Sequence, residues 1–201
     1  MILLGISTSG KHPSAAVAKD GKIISFSEDK SGRSHSATLM SVIDSALNEA
    51  KVKLSDIGCI AADVGPGSFT GVRIGVSCAN AMAYSLGIGV IPVASLAAMR
   101  HLIPPEGNVA AVIDCRNGNC YAALYRDGEE IVAPCAPVFE DFASKLPEGT
   151  RVVGDIDGSD GAPDAECVLR EAMIKGQPVK EAVPMYLRPS QAERMKGRQS
   201  T

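Results

Sequence analysis

Residues 63–75, Asp-Val-Gly-Pro-Gly-Ser-Phe-Thr-Gly-Val-Arg-Ile-Gly, hold the strongest concentration of chemically capable positions in the chain. Gly65, Gly67 and Gly71 permit positive φ and close backbone approach, and Pro66 fixes one φ and removes one donor. Ser68 or Thr70 suits the N-cap of a following helix, whose first-turn amides and positive dipole end then face outward. A strand, a glycine loop and a capped helix make an anion cradle; the same string also makes a tight βα turn with no ligand. Arg73, one residue inside the helix, has the reach for a phosphate or a partner's carboxylate, or for bulk solvent. Asp63 suits either a cap on the loop amides or a metal.

Several chemistries are excluded by spacing. No Gly-Lys-Ser/Thr triplet closes the loop, and the glycines at 65, 67 and 71 do not fit G-x-G-x-x-G. Ser68 lies in Pro-Gly-Ser-Phe and lacks the Gly-x-Ser-x-Gly elbow of a serine hydrolase. The three histidines, His12, His35 and His101, form neither H-x-x-x-H nor H-E-x-x-H, which argues against a metalloprotease and predicts no metal site.

The elements that must position the loop follow from hydrophobic period. Residues 57–62 read as a buried strand ahead of it and 72–86 as the helix after it. Residues 2–8 read as a first strand, and 14–18 and 22–27 flank Asp20-Gly21, a hairpin signal. Leu39, Ile43, Ala46, Leu47 and Ala50 recur at helical spacing within 34–51. The second helix carries Gly71, Gly75, Ala79 and Ala83 at i, i+4 spacing, a stripe that admits another helix closely. Its occupant is either the first helix or a helix of a partner. Residues 89–93 read as a strand and 95–101 as a short helix capped by Ser95.

Pro104-Pro105-Glu106-Gly107-Asn108 marks a boundary, giving lobes 1–103 and 104–201. Beyond it, strands at 109–113 and 120–125 flank Arg116-Asn117-Gly118-Asn119. A strand at 131–133, a helix at 139–145, a strand at 151–154 and a helix at 165–175 follow. The segment 156–162 reads as exposed, and 188–201 as a polar, basic, frayed tail. Asp114, Arg116 and Tyr121 read as a network bracing the second-lobe hairpin. The order predicts an α/β fold with a mixed first lobe and a smaller, related second one.

Composition narrows the class further. With 45% hydrophobic and 21% charged residues the chain is ordinary for a soluble globular protein. A net charge of −3, no Trp and four each of Tyr and Phe offer no nucleic-acid footprint, so any contact with nucleic acid is expected to be indirect. Six cysteines without C-x-x-C read as reduced core thiols of a cytoplasmic protein, and no signal peptide or membrane span is expected.

The string GPGSFTGVRIG resembles the signature loop of the TsaB (YeaZ) family of tRNA threonylcarbamoyladenosine proteins. The opening ILLGISTS, His35-Ser36, Asp114-x-Arg116 with Tyr121, and Pro184-x-Tyr186-Leu187-Arg188 support the resemblance, which spans nearly the whole chain. It implies an actin/Hsp70-like (ASKHA, ribonuclease H-like) fold with a complete first lobe and a reduced second one. It implies a non-catalytic scaffold that pairs with the transferase paralogue TsaD and is joined by a TsaE-type ATPase. The transferase places threonylcarbamoyl on the adenosine 3′ of the anticodon.

Helices 34–51 and 70–86 would form the partner interface, with His35, Leu39, Ile43, Gly71, Gly75, Ala79 and Ala83, and could also pair two copies of the chain. No cofactor is intrinsic; ATP or ADP could be shared at the interface, with Gly65, Gly67, Ser68, Thr70, Gly71 and Arg73 as the phosphate loop. Ser7 departs from the pattern, whose first strand ends Asp-Thr-Ser, and a hydroxyl cannot replace a carboxylate beside magnesium. The alternatives are an ASKHA-type nucleotide phosphatase or kinase, and a homodimeric regulatory protein with another partner.

Overall fold

The chain opens on a run, Ile2 to Ser7, that is apolar on both faces and therefore suited to the middle of a sheet covered on both sides. In the computed structural model, which describes residues 1–156 and 161–188, this run is β1 (Ile2–Ser7) at the centre of a five-stranded sheet. Its neighbours are β2 (Ser14–Lys19), β3 (Lys22–Glu28), β4 (Cys59–Asp63) and β5 (Gly89–Val93), in the order β3-β2-β1-β4-β5. β1, β2 and β3 are antiparallel, whereas β4 and β5 run parallel to β1. Asp20 and Gly21 both take positive φ, as the two-residue hairpin signal required.

A second sheet holds β6 (Asn108–Asp114), β7 (Cys120–Arg126), β8 (Glu129–Cys135) and β9 (Arg151–Gly154), in the order β8-β7-β6-β9. β6 pairs antiparallel with β7 and parallel with β9, as β1 pairs with β2 and β4. The second sheet thus repeats the first strand for strand and lacks, among the described residues, a fifth. This is the actin/Hsp70-like arrangement, complete in one lobe and reduced in the other.

Helices α1 (His35–Ala50) and α2 (Phe69–Leu86) cover one face of the first sheet. On α1 the predicted stripe is buried through Leu39, Val42, Ile43, Ala46 and Leu47. α3 (Ser95–Met99) and α5 (Ala165–Lys175) cover the other face, and α3 also packs on the second sheet. α4 (Phe139–Ala143) closes the far side with Phe142. The helix expected over 95–101 is split, with a 3₁₀ turn over Arg100–Leu102, and Ala94 holds the cap position assigned to Ser95. Ser95 is buried and serves the site described below.

The chain does not divide into consecutive lobes at residue 103. α5 and residues 178–186 return to the first lobe, where Val179 bridges Val90, Asn80 exchanges hydrogen bonds with Ala182, and Met185 donates its N–H to Val64. The reason is apolar: α5 buries Ala165, Val168, Leu169 and Ala172 against the sheet face that α1 and α2 leave open. Arg100 ties the lobes together. Its Nε and one terminal nitrogen donate to Glu171 on α5 (2.9 and 2.7 Å), and the other terminal nitrogen donates to the Gly128 carbonyl in the β7–β8 turn. His101 Nε2 lies 2.8 Å from the same Glu171 oxygen.

The residues 157–160 of the expected exposed segment and 189–201 of the expected tail lie outside the described residues. Among the described residues, no helix is long and apolar enough to cross a membrane.

Candidate functional site

β4 ends on Asp63, a carboxylate only 2% exposed. An ionised carboxylate at such depth must be met by donors. Oδ2 accepts from Ser7 Oγ at 2.8 Å and from Ser9 Oγ; Oδ1 accepts from Ser95 Oγ at 2.5 Å and from the Gly65 N–H at 3.0 Å. Burial pushes the acid upward in pKa, and the bonds from Ser9, Ser95, Gly65 and Ser7 oppose that rise. Of the two roles the sequence offered Asp63, the observed one is the cap, extended into a buried hydroxyl network. Ser7 stands where the resemblance expects Asp. A carboxylate there would oppose Asp63 charge to charge, whereas the hydroxyl donates to it.

The glycine loop is drawn tight against β1 and the turn after it. Gly65 takes φ +91 and its peptide bond to Pro66 is cis. A Cβ on Gly67 would lie 2.8 Å from both Cβ and the carbonyl oxygen of Ser9, and Cβ atoms on Gly71 and Gly75 would run into Thr8. Several of the loop's donors are committed within the chain. Ser68 N–H goes to Ser9 O (2.9 Å), Gly71 N–H to Ser68 Oγ (3.2 Å) and Val72 N–H to Ser68 O (2.8 Å). Ser68 is therefore the N-cap; Thr70 is exposed on the first turn.

Arg73 is held between two aromatic side chains, Phe69 and Tyr186. Its Nε donates to Tyr186 Oη at 2.8 Å, and its guanidinium sits 3.9 Å over the Phe69 ring, whose centroid is 5.2 Å from that of Tyr186. It pins the returning C-terminal segment to α2 by a cation–π stack and one hydrogen bond.

Across from the loop, the second lobe presents its own strand ends. Asp114 Oδ1 accepts the Arg116 N–H at 2.7 Å, and the Asp114 N–H donates to Asp155 Oδ1 at 2.6 Å. Burial, with the Asp114 charge as a smaller cause, raises the Asp155 pKa. Arg188 donates to Asn119 Oδ1 (2.8 Å) and Ala136 O (2.9 Å). Asp114, Arg116, Asp155 and Arg188, together with Ser9, Lys11, Gly67, Ser68 and Tyr121, line a cleft of about 650 Å³ between the lobes. Asp114, Arg116 and Tyr121 line the same cleft, and Asp114 accepts the Arg116 backbone N–H. The structure adds Asp155, which the sequence reading missed although it follows β9 much as Asp63 closes β4.

The residues expected at a partner interface fall elsewhere. Leu39, Ile43, Gly71, Gly75, Ala79 and Ala83 are buried in this chain's own core. The small-residue stripe is turned inward: Gly71 and Gly75 approach Thr8 just after β1, and Ala79 and Ala83 lie in the core cluster that α1, α2 and the first sheet share. His35 lies at the start of α1 with Nε2 3.1 Å from the Lys11 carbonyl. The surface the two helices do offer is their outer face, where Met40 is 51% and Tyr84 88% exposed.

A family model described as TsaD, tRNA N6-adenosine threonylcarbamoyltransferase, matches residues 24–154. The tRNA threonylcarbamoyladenosine biosynthesis protein TsaB of Bacillus subtilis is 32% identical over 161 residues, 76% of this chain and 69% of that protein. The tRNA N6-adenosine threonylcarbamoyltransferase of Chlorobium limicola is 37% identical over 107 residues, 46% of this chain, and the match spans only 30% of that protein. A crystal structure of a Pseudomonas aeruginosa protein, described as similar to peptidase YeaZ, superposes with a TM-score of 0.78 at 27% identity, covering 93% of this chain and 99% of that one.

Proposed function

The chain belongs to the TsaB family of tRNA threonylcarbamoyladenosine biosynthesis proteins, and we propose that its part in making that nucleoside is to hold a TsaD-type transferase in its competent form without supplying a catalytic group. One observation carries the non-catalytic reading. The strand-end carboxylate of the first lobe, Asp63, is surrounded by four donors of its own chain and has no face turned to the cleft. In the loop that would hold a phosphate, the N–H groups of Gly65, Ser68, Gly71 and Val72 are committed within the chain.

The partner binds the outer faces of α1 and α2, where Met40 and Tyr84 supply exposed apolar surface that a monomer has no use for. A second copy of the chain is the competing occupant of that face. The TsaE-type ATPase joins the pair, ATP or ADP is held in common with the partner, and tRNA is gripped by the transferase, since this chain carries a net charge of −3. Light scattering on the chain mixed with its organism's TsaD tests the pairing. A one-to-one complex is expected, and Tyr84→Asp should weaken it at least tenfold; full affinity in that variant would remove the helix faces as the interface.

A further inference from the structure

Among the described residues, no group of three His, Cys, Asp or Glu side chains comes together to hold a metal ion. Softer donors do converge, on the side where α1 meets α2. Cys78 on α2 has Met82 one turn later on the same helix and Met40 opposite on α1, with its Sγ 3.7 Å from each methionine sulfur. Met82 is buried, Cys78 is half-buried and Met40 is half-exposed, so the cluster has an apolar floor and an open side.

We propose that Cys78, Met40 and Met82 form a binding site for a soft monovalent cation of the copper(I) class. Three arguments select that ion. The donors are one thiol and two thioethers, the set that favours Cu(I) over the harder divalent metals. The spacing fits: with metal–sulfur bonds of about 2.3 Å, two sulfurs 3.7 Å apart subtend about 107° at the metal, near trigonal or tetrahedral geometry. The charge fits as well. One thiolate and one monovalent cation leave a neutral unit at the edge of the first-lobe core, whereas Zn²⁺ would leave a net positive charge at a half-buried apolar place.

Loading is a ligand exchange with no change of oxidation state. The S–H bond of Cys78 breaks, a Cu–S bond forms, one proton leaves to solvent, and the two thioethers donate lone pairs without losing anything. Uptake releases that proton, because the thiolate is the ligand. The bound ion would staple α1 to α2 through these three side chains.

The test uses the full chain carrying ¹³C-methyl methionine, titrated anaerobically with Cu(I) against bicinchoninate. The expected result is that one equivalent moves the Met40 and Met82 methyl resonances together while the other five methionines stay in place. Cys78→Ser should lower the Cu(I) affinity of this site at least tenfold, and Met40→Leu should weaken it while leaving the circular dichroism unchanged. Methyl resonances of Met40 and Met82 that do not move overturn the proposal, whether no copper binds or it binds at Cys115, Cys120 or Cys135.

Discussion

Ser95 and Asp63 are 32 residues apart in sequence, yet the Ser95 hydroxyl donates across 2.5 Å to Asp63 Oδ1 with both side chains buried. The contact ties the first residue of α3 to the end of β4 and so fixes the entry to the glycine loop. Ser95→Ala removes one donor and leaves the carboxylate short, at a cost of about 1–3 kcal/mol. Urea unfolding of the variant should show that loss as a lowered midpoint with an unchanged slope.

Glu171 contributes a pH dependence of known sign. Desolvation raises its pKa, but hydrogen bonds from His101 and Arg100, and their charges, outweigh that and hold it below its ordinary value. A carboxylate depressed in the folded state adds stability above its unfolded pKa, about 4.3, and loses it as the pH falls through the folded value. Denaturant midpoints measured from pH 7 to pH 3 should fall in acid, and the fall should be shallower in Glu171→Gln. Glu171→Ala at pH 7 strands Arg100 beneath the surface and should cost about 3–5 kcal/mol.

Among the described residues, Tyr125 Oη is a buried hydroxyl that finds no hydrogen-bond partner. Its phenol is pushed well above the ordinary range, chiefly by burial. Tyr125→Phe deletes an unsatisfied polar atom and keeps the ring, so melting should be unchanged or raised, by up to about 1 kcal/mol of stability.

Gly75→Leu should destabilise the fold before it touches any partner. A Cβ there meets Thr8 Oγ1, whose hydroxyl donates to the Gly71 carbonyl at 2.7 Å, so the added side chain must push α2 off β1. Overpacking of this kind costs about 1–3 kcal/mol or more. Thermal melting of the variant alone, without TsaD, checks it.

Arg73→Ala should act locally. The loss of the stack on Phe69 and the bond to Tyr186 frees the segment around Ala182 to Tyr186 from α2. Hydrogen exchange should speed up at Met185, whose N–H is otherwise held by Val64 O at 2.7 Å, and leave α1 unchanged.

The order of elements was open to a reader of the sequence because local rules and tertiary structure agree there. Asp20-Gly21 permits one turn, and the α1 stripe has one period. Reading ended where a single residue type serves two ends. A serine before a helix reads as a cap, but Ser95 is turned inward because a buried carboxylate lies within reach. Small residues at i, i+4 read as a surface for a helix, but on α2 Gly71 and Gly75 admit Thr8 while Ala79 and Ala83 lie in the core shared with α1 and the first sheet, so the exposed face lies on the other side. Asp155 and the return of α5 to the first lobe depend on pairings 40 or more residues apart, which no local pattern carries.

The most direct test of the scaffold role is threonylcarbamoyl transfer to tRNA, reconstituted from this chain, TsaD, TsaE and ATP, with two sets of variants compared. Met40→Asp with Tyr84→Asp alters the outer helix face, while Lys11→Ala with Arg116→Ala alters the cleft. A scaffold acting through its helices predicts transfer lost in the first pair and near wild type in the second. Transfer retained in the first pair and lost in the second would contradict it, and would place the chain's contribution in the interlobe cleft instead.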